Sequence, residues 1–173
     1  MRPIRTIGLV SDTHGLLRPE ALQAVEGSDL IIHAGDVGDA NILAALRELA
    51  PVVAVKGNID TDAWSAHLPE TALAQAGSSL IYVLHDVKAL DLKPTAAGIA
   101  MVVSGHSHKP SLTEREGVIY VNPGSAGPRR FNLPVTVARV DLRQEALARR
   151  VHRPAANSQS GLGLCSAGVS CLP

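Results

Sequence analysis

Residues 4–15 read IRTIGLVSDTHG, and this stretch decides the fold. An aliphatic run, Ile7-Gly8-Leu9-Val10, stops abruptly at Ser11-Asp12-Thr13-His14-Gly15. A short, almost wholly apolar run bounded by polar residues suits a strand buried on both faces of a parallel sheet. The acid and the imidazole follow at its carboxyl end, which is the edge where open α/β sheets bind ligands.

The same design repeats along the chain. Residues 29–33 (DLIIH) lead into Gly35-Asp36, and 51–55 (PVVAV) lead into Gly57-Asn58. Residues 79–84 (SLIYVL) end at His85-Asp86, and 99–103 (IAMVV) end at Gly105-His106-Ser107-His108. Between them, 18–26 suits a short helix with Pro19 in its first turn. Residues 39–49 show helical spacing at Ile42, Leu43, Leu46 and Leu49. Further on, 118–121 (VIYV) runs into Asn122-Pro123-Gly124-Ser125. Residues 135–140 and 146–151 read as a terminal hairpin, the latter equally as a helical turn. The pattern predicts an α/β fold, with two sheets packed face to face as a sandwich flanked by helices. One domain is expected over 1–153. Residues 154–173 carry no charge and are rich in Ser, Gly and Ala; they read as a flexible tail without regular structure.

Composition narrows the function. A chain of 173 residues is one ordinary domain, on a prior of about 150 residues each. Apolar residues make up 46%, which supports a packed core. Only Trp64, Tyr82, Tyr120 and Phe131 are aromatic, too few for base-stacking platforms. Sixteen Lys and Arg balance sixteen Asp and Glu. Partners such as duplex nucleic acid or an acidic membrane surface are therefore not expected. The amino terminus lacks a signal-peptide pattern, and no apolar run approaches the roughly 18 residues of a membrane span. Both cysteines, Cys165 and Cys171, lie near the carboxyl end, so no disulfide framework is expected. The reading is a cytoplasmic protein.

Any one of these strand-end residues is ordinary. An Asp there is most often a turn or cap residue, and a lone His is most often a satisfied one. Two carboxylates, an amide and histidines in four places at one sheet edge are not explained as turns. The ordered series SDTHG, GDV, GNID, a strand-end His and GHSH resembles the calcineurin-like metallophosphoesterases. The length and the Asn122–Ser125 segment followed by Pro128-Arg129 look like the small YfcE-type phosphodiesterases. The resemblance spans residues 4 to about 152. It implies two mixed sheets in a sandwich, and two divalent ions. One ion would be held by Asp12, His14, Asp36 and His108, and the other by Asp36, Asn58, His85 and His106, with Asp36 bridging. Imidazole and oxygen donors suit Mn, with Fe, Ni or Zn as alternatives, better than Ca.

The implied chemistry is attack of a metal-bridging hydroxide on a phosphate ester, with Asp36, Asn58 and His106 as catalytic residues. The substrate is expected to be a small phosphate ester, most simply a phosphodiester. Phosphomonoesters and dinucleotide polyphosphates remain open, as does a non-catalytic scaffold, since the fold also occurs in a retromer subunit. A homo-oligomer is an open expectation. Many relatives carry a proton-donating His directly after the metal-binding Asn; here that position is Ile59. Where YfcE-type members usually show His-Gly-His, this chain has His85-Asp86-Val87. Asp86 either orients a ligand and lowers the charge of the site, or is a solvated loop residue. Asn58 and Arg129 are candidates for substrate binding, Arg130 a weaker one. His33 reads as a core or supporting residue, and Asp60 as a brace for the Asn58 loop. The Asn122–Ser125 segment is either a lid of backbone amides or a plain turn.

Overall fold

The apolar run after Arg5 forms a strand, β1 (Thr6–Val10), whose alternate side chains go to opposite faces. Ile7 and Leu9 point into one core and Val10 into another. The structure is a computed structural model describing residues 3–129, 132–142, 164–165 and 169–172. Further strands are β2 (Leu30–His33), β3 (Val52–Ala54), β4 (Thr71–Ala76), β5 (Ser79–Leu84) and β6 (Ile99–Val103). They are followed by β7 (Ser111–Arg115), β8 (Val118–Asn122), β9 (Val137–Asp141), β10 (Leu164–Cys165) and β11 (Val169–Leu172). Two α-helices, α1 (Pro19–Val25) and α2 (Ala40–Arg47), occupy the first half.

The strands make two mixed sheets, ordered β10-β11-β9-β1-β2-β3 and β4-β5-β6-β8-β7. In the first, β1, β2 and β3 run parallel while β9 is antiparallel to β1. In the second, β5, β6 and β8 run parallel. Between the sheets lies a core of Ile7, Leu9, Ile32, Ile81, Val83, Met101, Val103, Val121 and Val140, among others. A second core, including Val25, Ile31, Ile42, Leu43 and Leu46, fills the space between the first sheet and the helices. Gly8 lets α1 lie close, because a Cβ there would stand 2.9 Å from the Val25 Cβ. Asp39 caps α2 by accepting from the Asn41 amide at 2.8 Å.

The sandwich agrees with expectation, and three details differ from it. The α-helices flank the first sheet, whereas the outer face of the second is covered by a third cluster in which Leu90 and Leu92 pack on Tyr82, Leu84 and Val102. Strands β4 and β7 were not expected. In TALAQA exposed residues alternate with small alanines, of which Ala74 and Ala76 are buried, and SLTER is almost wholly exposed, so both lack the buried apolar run that marks the other strands. Each is recruited through a hairpin, β4 to β5 and β7 to β8. Finally, β10 and β11 form within the stretch for which no regular structure was expected, and β11 pairs antiparallel with β9. The backbone of β9 has a free edge on that side, which accepts a strand without needing a patterned sequence. The alternative at 146–151 lies outside the described residues. Among the described residues no helix is long and apolar enough to cross a membrane.

Ile32 is fully buried between the sheets, one residue before the strand end that leads to Asp36. Ile32→Ala is expected to cost about 2–5 kcal/mol, read as a lower urea midpoint with an unchanged slope. A loss under about 1 kcal/mol would mean that this core collapses around the gap.

Candidate metal centre

Parallel pairing brings the carboxyl ends of β1, β2 and β3, and of β5 and β6, to one edge of the sandwich. The loops leaving those ends are tied to one another through the backbone. The Asp12 amide donates to Gly35 O at 3.0 Å, the His14 amide to Asp36 O at 2.9 Å, and the Gly105 amide to His85 O at 2.9 Å. Asp12, His14, Asp36 and His108 offer ligand atoms that all lie within 4.8 Å of one another. His14 Nε2 is 3.2 Å from His108 Nε2, and His108 Nε2 is 3.4 Å from Asp12 Oδ1. Asp36 Oδ2 stands 3.5 Å from His14 Nε2. Atoms that each sit about 2.0–2.2 Å from a shared ion are spaced in this way.

His85 supplies an independent test of fit. Its Nδ1–H donates to Ala34 O at 2.7 Å, which leaves Nε2 as the atom turned toward the cluster. That nitrogen is buried without a hydrogen-bond partner and faces Asp36 Oδ1 at 3.3 Å. A lone pair aimed at a carboxylate is unfavourable unless a cation or a proton lies between them. The His106 ring meets the His85 ring edge-on at 5.2 Å between centroids, with its side chain partly open to solvent. Asn58 is exposed and shares a cavity of about 460 Å³ with Lys56, Gly57, His85 and Asp86. His85, His106 and Asn58 therefore adjoin the four-residue cluster without closing to its spacing. Arg129 is exposed, two residues beyond Gly127, where a Cβ would collide with the Thr13 carbonyl.

The backbone at these positions is unusual. Among the described residues, six other than glycine have positive φ. Five of them are Asp12 (54°), His14 (46°), Asp36 (54°), His106 (67°) and His108 (57°). The left-handed region is sparsely populated by L-residues, although Asp and His tolerate it better than most. Each such residue costs roughly 1–3 kcal/mol and persists only where its surroundings over-determine it. Those surroundings are visible. Asp60 is 1% exposed and accepts from the amides of Val37 (3.1 Å), Gly38 (2.8 Å) and Gly57 (2.8 Å). It thereby fastens the Asp36 loop to the Asn58 loop, as expected. The Ile59 amide completes the join, donating to Asp36 Oδ1 at 3.1 Å. Gly57 is required there, since a Cβ would overlap the Asp36 amide and carboxylate.

Sequence reasoning missed three supporting groups. Ser11 Oγ donates to Asp12 Oδ2, and the His106 amide lies 3.2 Å from both Asp12 oxygens. Asn122 Nδ2 donates to Gly105 O at 2.6 Å and to Ser107 Oγ at 3.1 Å, so it braces the loop bearing His106 and His108. Ser125 Oγ donates to Asp12 O at 2.9 Å. The Asn122–Ser125 segment thus supports the ligand loops through side chains. Thr13 Oγ1 donates to Val37 O at 2.9 Å, so His33 Nε2–H, 2.9 Å from the same oxygen, is the donor to it. His33 is fully buried, and burial pushes its pKa down to about 4, keeping it a neutral prop under the loops.

The two carboxylates differ in electrostatics. Burial raises Asp12 to about 6, against the opposing Ser11 hydrogen bond. Burial also acts to raise Asp36, but close contact with His85, the Ile59 amide and the charges of His85 and His14 prevail, holding it near 2. The Asp36 and Asp12 carboxylates and the Ala34 carbonyl raise His85 despite its burial.

Two outcomes follow for the metal-free protein. Binding Mn²⁺ must expel the Asp12 proton below about pH 6, so affinity should fall steeply between pH 7 and pH 5, with proton release visible in titration calorimetry across buffers. The stability contribution of Asp12 has the opposite sign to acid denaturation. Its folded pKa lies above the ordinary 3.8, so it stabilises below that value, and the benefit is lost as pH rises through about 6. For Asp60, Asp60→Ala strands two buried amides and one part-buried one, costing on the order of 1–3 kcal/mol each at most. Weakened Mn²⁺ binding by a still-folded Asp60→Asn would separate loop bracing from bulk stability; unchanged binding by both variants would refute the brace.

Residues 6–145 match the calcineurin-like phosphoesterase superfamily domain. The chain is 35% identical to the probable metallophosphoesterase of Methanothermobacter thermautotrophicus, over 78% of this chain and 86% of that protein. Its fold is similar to that of a structurally and functionally characterised archaeal phosphodiesterase (TM-score 0.68, 21% identity, 79% of this chain and 93% of that one). It is also similar to Vps29 of Chaetomium thermophilum (TM-score 0.69, 19% identity, 80% and 82%). The two sheets, the converging Asp and His residues and the extent of the match agree: the chain belongs to the calcineurin-like phosphoesterase superfamily.

Proposed function

We propose that the protein is a phosphodiesterase working with two divalent ions, one at Asp12, His14, Asp36 and His108, the other at Asp36, Asn58, His85 and His106. The observation that carries this reading is the Asp36 carboxylate. Its Oδ2 faces His14 Nε2 at 3.5 Å and its Oδ1 faces His85 Nε2 at 3.3 Å. Each oxygen thus addresses a different histidine, as a bridging carboxylate would. Imidazole with carboxylate suits Mn, Fe, Ni or Zn. When bound, such ions supply a nucleophile from water at neutral pH and Lewis acidity toward phosphoryl oxygens.

The chain's own residues do the rest. Asp36, held anionic, offsets the repulsion of two cations; Asn58, being neutral, adds no further negative charge against an incoming phosphate. Its amide offers a donor to a phosphoryl oxygen, and Arg129 a second, charge-assisted one. His106 completes the ring of donors beside the cavity. Ile59 has no proton to give, and the residue is 42% exposed next to Asn58. Without a general acid, commonly worth about 10²–10⁴-fold, esters with a readily departing alcohol are favoured. The likeness to the archaeal phosphodiesterase supports the diester at the level of fold. The likeness to Vps29 leaves a scaffold as the alternative reading.

The test is turnover of an aryl phosphodiester against the matching monoester, in metal-stripped protein given Mn²⁺. The diester is expected to be faster; a faster monoester would overturn the diesterase assignment, and no turnover with any ion would favour the scaffold. Asp36→Asn should lose on the order of 10²–10³-fold, more than His108→Ala at equal Mn²⁺, with circular dichroism unchanged. Greater damage in His108→Ala would contradict the bridging role.

A further inference from the structure

We propose that the cavity beside Asn58 receives the alcohol arm that stays on the phosphate, and that Asp86 makes it selective for an arm without negative charge; the proposal rests on the phosphodiesterase reading. The cavity, of about 460 Å³, is lined by Asn58 and His85, both assigned to the second ion, and also by Lys56, Glu70, Thr71 and Asp86. Its volume falls within the roughly 300–1,000 Å³ of small-molecule sites. A phosphate held at Asn58 therefore has room for one organic substituent on that side. Ile59 gives no proton to the substituent that departs, so that alcohol must take one from water and belongs on the open side. The walled cavity is left for the retained arm.

The charges on the wall decide which arm fits. Lys56 is the one Lys or Arg among the described residues lining the cavity, and its Nζ is 3.1 Å from Glu70 Oε1, so that cation is already matched by an anion. Asp86 is held differently. Its Oδ1 accepts from the Lys88 amide at 3.0 Å, which fixes the side chain at the start of the turn Val87–Ala89. Its Oδ2 lies 3.9 Å from His106 Nε2, a nitrogen that is neutral when it holds an ion. Lys56, Glu70 and Asp86 together thus leave one net negative charge on the lining, and it resides at Asp86. Protein walls of low dielectric concentrate such a field inside a cleft. Two of the large apolar residues exposed at the surface, Ile59 and Val87, directly follow Asn58 and Asp86. They suit carbon better than a second phosphate. An arm bearing a second phosphate would meet Asp86 as an unpaired like charge, which rejects it without requiring any new contact to the accepted arm.

The experiment uses the metal-stripped full chain reloaded with Mn²⁺ and two diesters that release the same p-nitrophenol. One is thymidine 5′-(p-nitrophenyl phosphate), whose retained arm is uncharged; the other carries a further phosphate on the 3′ oxygen of that arm. In the wild type, kcat/KM should favour the uncharged arm by about tenfold or more. Asp86→Asn keeps an acceptor for the Lys88 amide and should narrow the preference to within about threefold, and Asp86→Ser should do the same. Glu114→Gln removes one negative charge from β7, the edge strand opposite β4, and should keep the wild-type preference. A merely structural role for Asp86 would lower both rates together and leave their ratio alone. Turnover of both diesters without preference in the wild type, or a preference unchanged in both Asp86 variants, would overturn the proposal and leave the phosphodiesterase reading standing. Equal narrowing in Glu114→Gln would overturn it in favour of a diffuse charge effect. No turnover of either diester, or of bis(p-nitrophenyl) phosphate, with any divalent ion would overturn both.

Discussion

Everything at the functional edge depends on one constraint: the Asp and His residues that form the candidate metal-binding cluster, and His106 adjoining it, sit on left-handed backbone. Asp12, His14, Asp36, His106 and His108 all have φ between 46° and 67°. A strand leaving a sheet would ordinarily carry its next side chains away from the edge in alternation. The left-handed turn instead reverses the chain at once and aims successive functional groups at one point. The conformation is unfavourable locally, so the rest of the structure must hold it. Asp60 does this between the ends of β2 and β3, and Asn122 does it beneath the loop after β6.

Close packing of the loops is the second half of the same device. Gly57 lies against Asp36, and Gly105 lies where a Cβ would collide with the Ser11 hydroxyl and crowd the Asp12 carboxylate. Neither glycine has a positive φ, so each is used for proximity rather than for conformational freedom. The loops can therefore approach closely enough for carboxylates and imidazoles to share a small volume. Burial acts to raise both acids; the His85, Ile59 amide and His14 partners of Asp36 overcome it and keep Asp36 anionic, while Asp12 is raised and easily protonated in the absence of a cation. The same crowding leaves His85 Nε2 buried without a hydrogen bond.

Much of this was legible in the sequence. The aliphatic runs that became β1, β2, β3, β5, β6 and β8 announced themselves because they are buried on both faces. Their punctuation by Asp, Asn and His gave the location of the site. The edge strands β4 and β7 were not legible, because exposed strands need no apolar pattern and are defined by their partners. A signal did exist in the two-residue turns Gly77-Ser78 and Glu116-Gly117 that close their hairpins. The left-handed angles could not be read from residue types, since Asp and His occur far more often on ordinary backbone. The bracing roles of Asn122 and Ser125 join residues 15 to 113 positions apart and appear only once the sheets have formed.

The central claim is that the strained loops build one centre in which Asp36 serves two ions. Anomalous diffraction from crystals grown with Mn²⁺ tests it most directly. The account predicts two anomalous peaks about 3.5–4 Å apart, with one Asp36 oxygen beside each and Asp12, His14 and His108 around one of them. A single peak, or two peaks that share no Asp36 contact, would contradict it.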